Sequence, residues 1–114
     1  MTCRLATYGS LAPDRANHHE LAGLVGRWFQ GTVRGRLVEA GWGAALGFPG
    51  LELAPDGVSV TVDIFESIDL HRHWLRLDAF EGGGYRRVLT SVETKWGARD
   101  AWIYVLANSE GVGL

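Results

Sequence analysis

The chain is poor in several residue types, and each shortage narrows what it can be. Cys3 is its only cysteine, so no disulfide can form within the chain; this fits a reducing compartment. Lys95 is the sole lysine among 11 basic residues, and the formal charge is only −2. Such a balance gives no reason to expect nucleic acid or an anionic membrane surface as a partner. No apolar run approaches the roughly 20 residues of a membrane span. The start, Met1-Thr2-Cys3-Arg4, has no leader-like pattern, and a soluble cytoplasmic protein is expected. Prolines number 3 against 16 glycines. Many glycines without low complexity point to tight turns and bent strands rather than disorder.

What is present suits one domain over residues 1–114 with one modest core: 114 residues, 46% of them hydrophobic. Residues 4–8 read as a first strand that stops at Tyr8-Gly9-Ser10-Leu11. Pro13 and Asp14 suit a first helical turn. Leu21, Leu24, Val25 and Trp28 follow at helical spacing, predicting a helix over roughly 13–25 with Gly26 near its end. If strand passes to helix here, the amides of Gly9, Ser10 and Leu11 could cradle a carboxylate or oxyanion. The plain alternative is a turn in which Ser10 only caps the helix.

Next, Phe29, Gly31, Val33, Gly35 and Leu37 alternate with Gln30, Thr32, Arg34, Arg36 and Val38. Period two predicts a strand with one buried face, and two glycines on that face predict strong bending. Residues 41–50 form a glycine-rich loop in which Trp42 and Phe48 could fold over as a flap. The glycine spacing is wrong for dinucleotide binding, and Pro49 stops any helix that would follow. A short strand over residues 51–53, a turn at Pro55-Asp56-Gly57 and a strand carrying Val58, Val60, Val62 and Ile64 come next. Asp69 is placed to cap a helix whose apolar face is Leu70, Trp74, Leu77 and Ala79 or Phe80. That helix ends at Glu81, before Gly82-Gly83-Gly84. Two strands follow, over residues 85–93 and 99–106, the second with Trp102, Tyr104 and Leu106 on one face. Residues 107–114 are expected to be a flexible tail. The sum is about six strands and two helices without βαβ alternation, hence an α+β protein built on a small mixed or antiparallel β-barrel.

Four motifs stand in a suggestive order: Tyr8-Gly9-Ser10-Leu11; Val33-x-Gly35-x-Leu37; Gly47-Phe48-Pro49-Gly50-Leu51; and Leu77-Asp78-x-Phe80-Glu81-Gly82-x-x-Tyr85-x-Arg87. Together they resemble the gamma-glutamylcyclotransferase-like family, which includes AIG2-like proteins and gamma-glutamylamine cyclotransferases. The resemblance implies a small barrel with flanking helices. It implies a cofactor-independent cyclotransferase that releases 5-oxoproline and an amine or amino acid from a gamma-glutamyl compound. It also implies Glu81 as catalytic acid and base, with Tyr8, Gly9, Ser10, Leu11 and Tyr85 around the substrate. The chain departs from the pattern at Val58-Ser59-Val60-Thr61-Val62, where the family often carries a strand glycine, so the leaving group stays open.

The chemistry asks for few parts. The substrate's α-ammonium must lose a proton before its nitrogen attacks its own γ-carbonyl, and the leaving amine must gain one. One carboxyl can do both if burial lifts its pKa towards neutrality. Because the attack is intramolecular, holding the glutamyl chain curled is itself a large share of catalysis. Other constellations are poorer. His18 and His19 are adjacent, and His71 and His73 on a helix would point roughly 200° apart, so neither pair suits a metal. Ser10 lacks a nucleophile-elbow pattern. Arg34, Arg36, Arg86 and Arg87 with nearby tryptophans could suit a nucleic-acid-binding barrel, which the net charge opposes. Arg87 is expected to pair with Asp78. The rival to an enzyme is a non-catalytic module that binds a gamma-glutamyl compound or another carboxylate on the same fold. The oligomeric state is not legible in the sequence.

Overall fold

In the computed structural model, residues 2–9, 11, 18–38 and 50–107 are described. Ser10, the start of the expected first helix at Pro13 and Asp14, the loop with Trp42 and Phe48, and the tail from Asn108 lie outside them.

Six strands form the frame: β1 (Arg4–Thr7), β2 (Arg27–Val38), β3 (Gly50–Leu53), β4 (Val58–Glu66), β5 (Tyr85–Thr94) and β6 (Gly97–Leu106). Their order is β3-β2-β4-β1-β6-β5. β1 runs parallel to β6, and the other pairs are antiparallel. Where Thr32 of β2 meets Glu93 of β5, the sheet closes on itself. The result is a five-stranded mixed barrel, with β3 added beside the far end of β2.

Alternation along each strand fills the barrel. Val33, Val60, Val62, Ile64, Val92 and Ile103 point inward and are almost wholly buried. These branched aliphatics pack well on a pleated surface. The inward row on β2 was expected to run through Leu37, but Leu37 is 46% exposed. β4 accompanies β2 only as far as Gly35, after which β2 pairs with β3 alone and leaves the barrel wall. β6 is apolar on both faces. Ala101, Ile103 and Val105 fill the interior, while Trp102 and Tyr104 belong to an outer layer with Leu5, Phe65 and Leu77.

Two helices cover that outer layer. The first, α1 (His19–Ala22), has four residues and ends at Gly23. The expected helix to residue 25 is thus too long: Val25 is 82% exposed and contributes no apolar face. Leu21 alone anchors α1, fully buried in the outer layer. The second, α2 (Trp74–Glu81), follows a 3-10 helix over Ile68–Arg72. The expected cap at Asp69 is replaced by Ser67. Its Oγ accepts the Asp69 N–H at 3.1 Å and donates to the Val25 carbonyl. Ser67 sits one residue outside the helix in extended backbone, where a hydroxyl can reach the second amide of the turn. The Asp69 carboxylate instead accepts the Val25 N–H at 3.0 Å. Gly82 takes φ of 83° and stops α2 directly after Glu81. Only glycine adopts that backbone freely. Ala107, expected in a loose tail, is held by its N–H on the Gly84 carbonyl at 2.9 Å. No helix among the described residues is long and apolar enough to cross a membrane.

Candidate active site

The last turn of α2 lays a charged residue along an apolar stripe. Trp74, Leu77 and Glu81 succeed one another at steps of three and four, the spacing of one helix face, and Leu70 of the preceding 3-10 helix lies in the same layer. Leu70 and Leu77 are fully buried, and Glu81 is only 8% exposed. Ala79, an alternative member of the expected face, is exposed. Burial disfavours the charged form of Glu81 and lifts its pKa from 4.5 to about 7. A carboxyl with that pKa both gives and takes protons near neutral pH.

The opening turn reaches the same region through Tyr8. Its hydroxyl donates to the Tyr104 carbonyl at 2.6 Å and accepts the Leu51 N–H at 3.2 Å. Tyr8 thereby ties the end of β1 to both β6 and β3. Burial pushes its hydroxyl well above the ordinary tyrosine range, and the charges of Glu81 and Tyr85 push the same way. The Tyr104 hydroxyl donates to Asp78 Oδ1 at 2.7 Å. Burial, that hydrogen bond and the charges of Asp78 and Glu81 raise it too. The charge of Glu81 thus reaches both Tyr8 and Tyr104, and that of Tyr85 reaches Tyr8. Among the described residues no buried side-chain nitrogen or oxygen lacks a partner.

The other expected substrate contacts fare unevenly. Gly9 lies in the bend after β1 and is half-buried. Leu11 is 5% exposed and packs in the outer layer, so its side chain anchors the turn from inside. Its carbonyl accepts from His18 Nδ1 at 3.2 Å. Ser10 lies outside the described residues. Tyr85 opens β5 opposite Leu106 and packs, half-buried, against the outer layer.

Arg87 meets Asp78 as expected, with Nε to Oδ1 at 2.8 Å and Nη2 to Oδ2 at 3.2 Å. These bonds hold the Asp78 carboxyl below its usual range, against a smaller opposing effect of burial. The guanidinium also lies 4.3 Å from the Trp74 ring centre and 4.6 Å from that of Trp102. The sequence reading missed Tyr104 as part of this group. The sequence placed Tyr104 only on the apolar face of the last strand; the register that sets it opposite Arg87 on β5 appears only in the folded chain. Arg34 and Arg36 turn to the Gly57 carbonyl and to Asp56, at the neighbouring hairpin. His71 approaches Cys3 Sγ at 2.9 Å, and His73 accepts from Arg76. No group of three or more His, Cys, Asp or Glu among the described residues is arranged to hold a metal.

The model of the gamma-glutamyl cyclotransferase, AIG2-like family matches residues 5–113. The chain belongs to that family. No curated protein matches it. The crystal structure of YkqA from Bacillus subtilis superposes with a TM-score of 0.71 at 29% identity, covering 94% of this chain and 36% of YkqA. An AIG2-like protein from Mus musculus gives 0.69 at 24% identity, covering 92% of this chain and 77% of its own. Kluyveromyces lactis allophanate hydrolase gives 0.60 at 15% identity, covering 93% of this chain and 17% of its own. At such identities the last two speak to the fold alone. This AIG2-like chain spans about a third of YkqA and most of the mouse protein.

Proposed function

We propose that this chain is a gamma-glutamyl cyclotransferase with Glu81 as its acid and base. The observation that carries the reading is the near-complete burial of the Glu81 carboxyl at the end of α2, with a pKa lifted to about 7. Buried carboxyls with a pKa raised towards neutrality cluster at functional sites, where they serve as acid and base.

The reaction balances with this one group. Glu81 takes a proton from the substrate's α-ammonium. The freed amine attacks the γ-carbonyl carbon and closes a five-membered ring through a tetrahedral oxyanion. As the carbon–nitrogen bond to the leaving group breaks, Glu81 returns its proton to that nitrogen, and the second proton of the ring nitrogen follows through the same carboxyl, so the lactam is left neutral and the amine departs as an ammonium. The products are 5-oxoproline and an amine or amino acid. Amides of the opening turn, Gly9 to Leu11, are proposed to receive the substrate carboxylate or the oxyanion. Tyr85 is proposed to border the glutamyl chain, and Tyr8 to hold the turn, since its hydroxyl is already engaged on both sides. General acid–base help of this kind supplies about a hundred- to ten-thousandfold in rate. A reducing, cytoplasmic setting belongs to the same reading.

Incubation with gamma-glutamyl amides and gamma-glutamyl amino acids tests it. Release of 5-oxoproline by the wild-type chain, abolished in Glu81→Gln with the fold intact, is the expected result. Equal turnover by Glu81→Gln removes Glu81 from the role. Tight binding of one compound without turnover replaces the enzyme by a binding module.

A further inference from the structure

Two parts of the proposed site are far apart in sequence, and one residue touches both. Tyr104 holds the opening turn with its backbone, through the 2.6 Å bond from the Tyr8 hydroxyl. It holds α2 with its side chain, through the 2.7 Å bond to Asp78. Asp78 stands three residues before Glu81, so the two are neighbours on the helix surface. Tyr104 is itself 5% exposed, in the middle of the outer layer on a long strand of the barrel.

The helix needs such a hold. α2 is eight residues long and buries only Leu77 and Glu81. A helix that short has little stability of its own. Leu77 is its one fully buried apolar anchor, while Trp74 and Phe80 pack against the same layer only partly buried, so polar contacts beyond Leu77 help to set its rotation. Asp78 is gripped from two sides: by the Tyr104 hydroxyl and by the two-toothed Arg87 guanidinium. Arg87 is in turn held against the faces of Trp74 and Trp102. A planar guanidinium fixed by rings and a carboxylate sets direction as well as distance.

We infer that Tyr104, acting through the Asp78–Arg87 pair, is the positioning residue that sets the rotation of α2 and so aims Glu81 at the opening turn. The inference rests on reading Glu81 as the acid–base. Arg87 has a second effect. It cancels the charge of Asp78, so Glu81 faces a neutral pair made of Asp78 on α2 and Arg87 on β5, together with Tyr8 from the opening turn and Tyr104 from β6. Losing either partner of the pair leaves a net charge about one helical turn away. Arg87→Met then raises the midpoint of Glu81, and Asp78→Asn lowers it.

The test uses Tyr104→Phe, Asp78→Asn and Arg87→Met in the whole chain, with two readouts. One is 5-oxoproline release from a gamma-glutamyl compound that the wild type turns over. The other is the carboxyl-carbon NMR titration of Glu81, assigned by its loss in Glu81→Gln. Tyr104→Phe keeps the ring and the backbone carbonyl and loses only the hydroxyl. It is expected to lower kcat about tenfold or more with KM nearly unchanged, as a small misplacement of a reacting group does. The midpoints are expected to move in opposite directions in Arg87→Met and Asp78→Asn. A purely structural network lowers the melting temperature and leaves kcat per folded molecule and all three midpoints at wild-type values; that result overturns the inference. If the wild type releases no 5-oxoproline, the acid–base reading fails by itself. The Tyr104→Phe titration then decides alone, since that change removes no charge: a moved Glu81 midpoint upholds the positioning and an unchanged one refutes it. Should Asp78→Asn fail to fold, Arg87→Lys takes its place. Lysine keeps the charge and loses the two-toothed grip, so a fall in kcat without a midpoint shift supports positioning, and wild-type kcat opposes it.

Discussion

Gly31 lies so close to Glu93 that a Cβ on it would stand 2.6 Å from the Glu93 carbonyl oxygen. The same Cβ would meet Val92 Cγ1 at 2.6 Å and Ile64 Cδ1 at 3.2 Å. This is where β2 crosses β5 and the barrel closes, one residue from the Thr32–Glu93 pairing. Glycine is needed for the approach of two backbones, since a carbonyl cannot step aside as a side chain can. Gly31→Ala is expected to destabilise the fold by roughly 1–3 kcal/mol through overpacking. Urea unfolding measures it, with the slope unchanged if the barrel still closes. Unfolding at the wild-type midpoint would mean that the two strands can part at no cost.

Ser67 extends, one residue beyond β4, the pairing that Glu66 makes with Arg4 of β1 and Arg27 of β2. Its hydroxyl accepts from Asp69 N–H and donates to the Val25 carbonyl, while its own N–H donates to the Cys3 carbonyl at 2.9 Å. Ser67→Ala removes the cap and leaves the Val25 carbonyl without that donor. A loss of about 1–2 kcal/mol is expected in thermal or denaturant unfolding. Ser67→Thr, which keeps the hydroxyl, should lose less than Ser67→Ala.

Much of this architecture was legible in the sequence, for a definite reason. Strand period is local: Val60, Val62 and Ile64 announce their common face without knowledge of any partner. The glycines at 31 and 35 announced a bent strand for the same reason. Caps were harder. Asp69 and Ser67 are both good capping residues, and the choice between them depends on Val25, 42 residues away. α1 was read too long because Val25 and Trp28 fit the helical spacing by coincidence; Trp28 belongs to β2, stacked on Phe65. Glu81 shows the limit most clearly. A glutamate before three glycines reads by itself as a surface residue, and it was singled out by the Leu77-Asp78-x-Phe80-Glu81-Gly82 motif and its place after the apolar Phe80. What makes it unusual comes from packing across the barrel, which no local pattern contains.

The Tyr8 hydroxyl is expected to matter for stability more than for proton transfer. It bridges β3 and β6, and burial holds its proton firmly. Tyr8→Phe leaves the Leu51 N–H without its bond, a loss of about 1–3 kcal/mol for a group away from water. Calorimetry measures this directly. If turnover falls as well, KM should rise along with it, because the turn that receives the substrate has lost its tether. A fall in kcat alone, with stability unchanged, would instead put the Tyr8 proton in the reaction.

The burial of Glu81 also has a consequence for stability against pH. Its pKa is about 7 when folded and near 4.5 when exposed. Between those values the folded chain holds a proton that the unfolded chain has released, so stability falls as pH rises through this window. The full effect, reached above about pH 7, is on the order of 3 kcal/mol. Glu66 acts in the opposite sense. Although burial works against it, hydrogen bonds from Arg27 and Arg4 hold its carboxyl below the usual range, so its contribution is lost as the solution turns acid. Because both of its ion pairs are partly exposed, that contribution is small, within about 1 kcal/mol. The chain should therefore be most stable in mildly acid solution and weaken towards pH 8. Glu81→Gln should remove the alkaline decline: near the wild type at pH 5, it should melt higher at pH 8. The acid–base residue would then be one that the fold is stronger without. Parallel melting curves for the two proteins from pH 5 to pH 8 would show that Glu81 is solvated, and the proposed proton transfer would lose its physical basis.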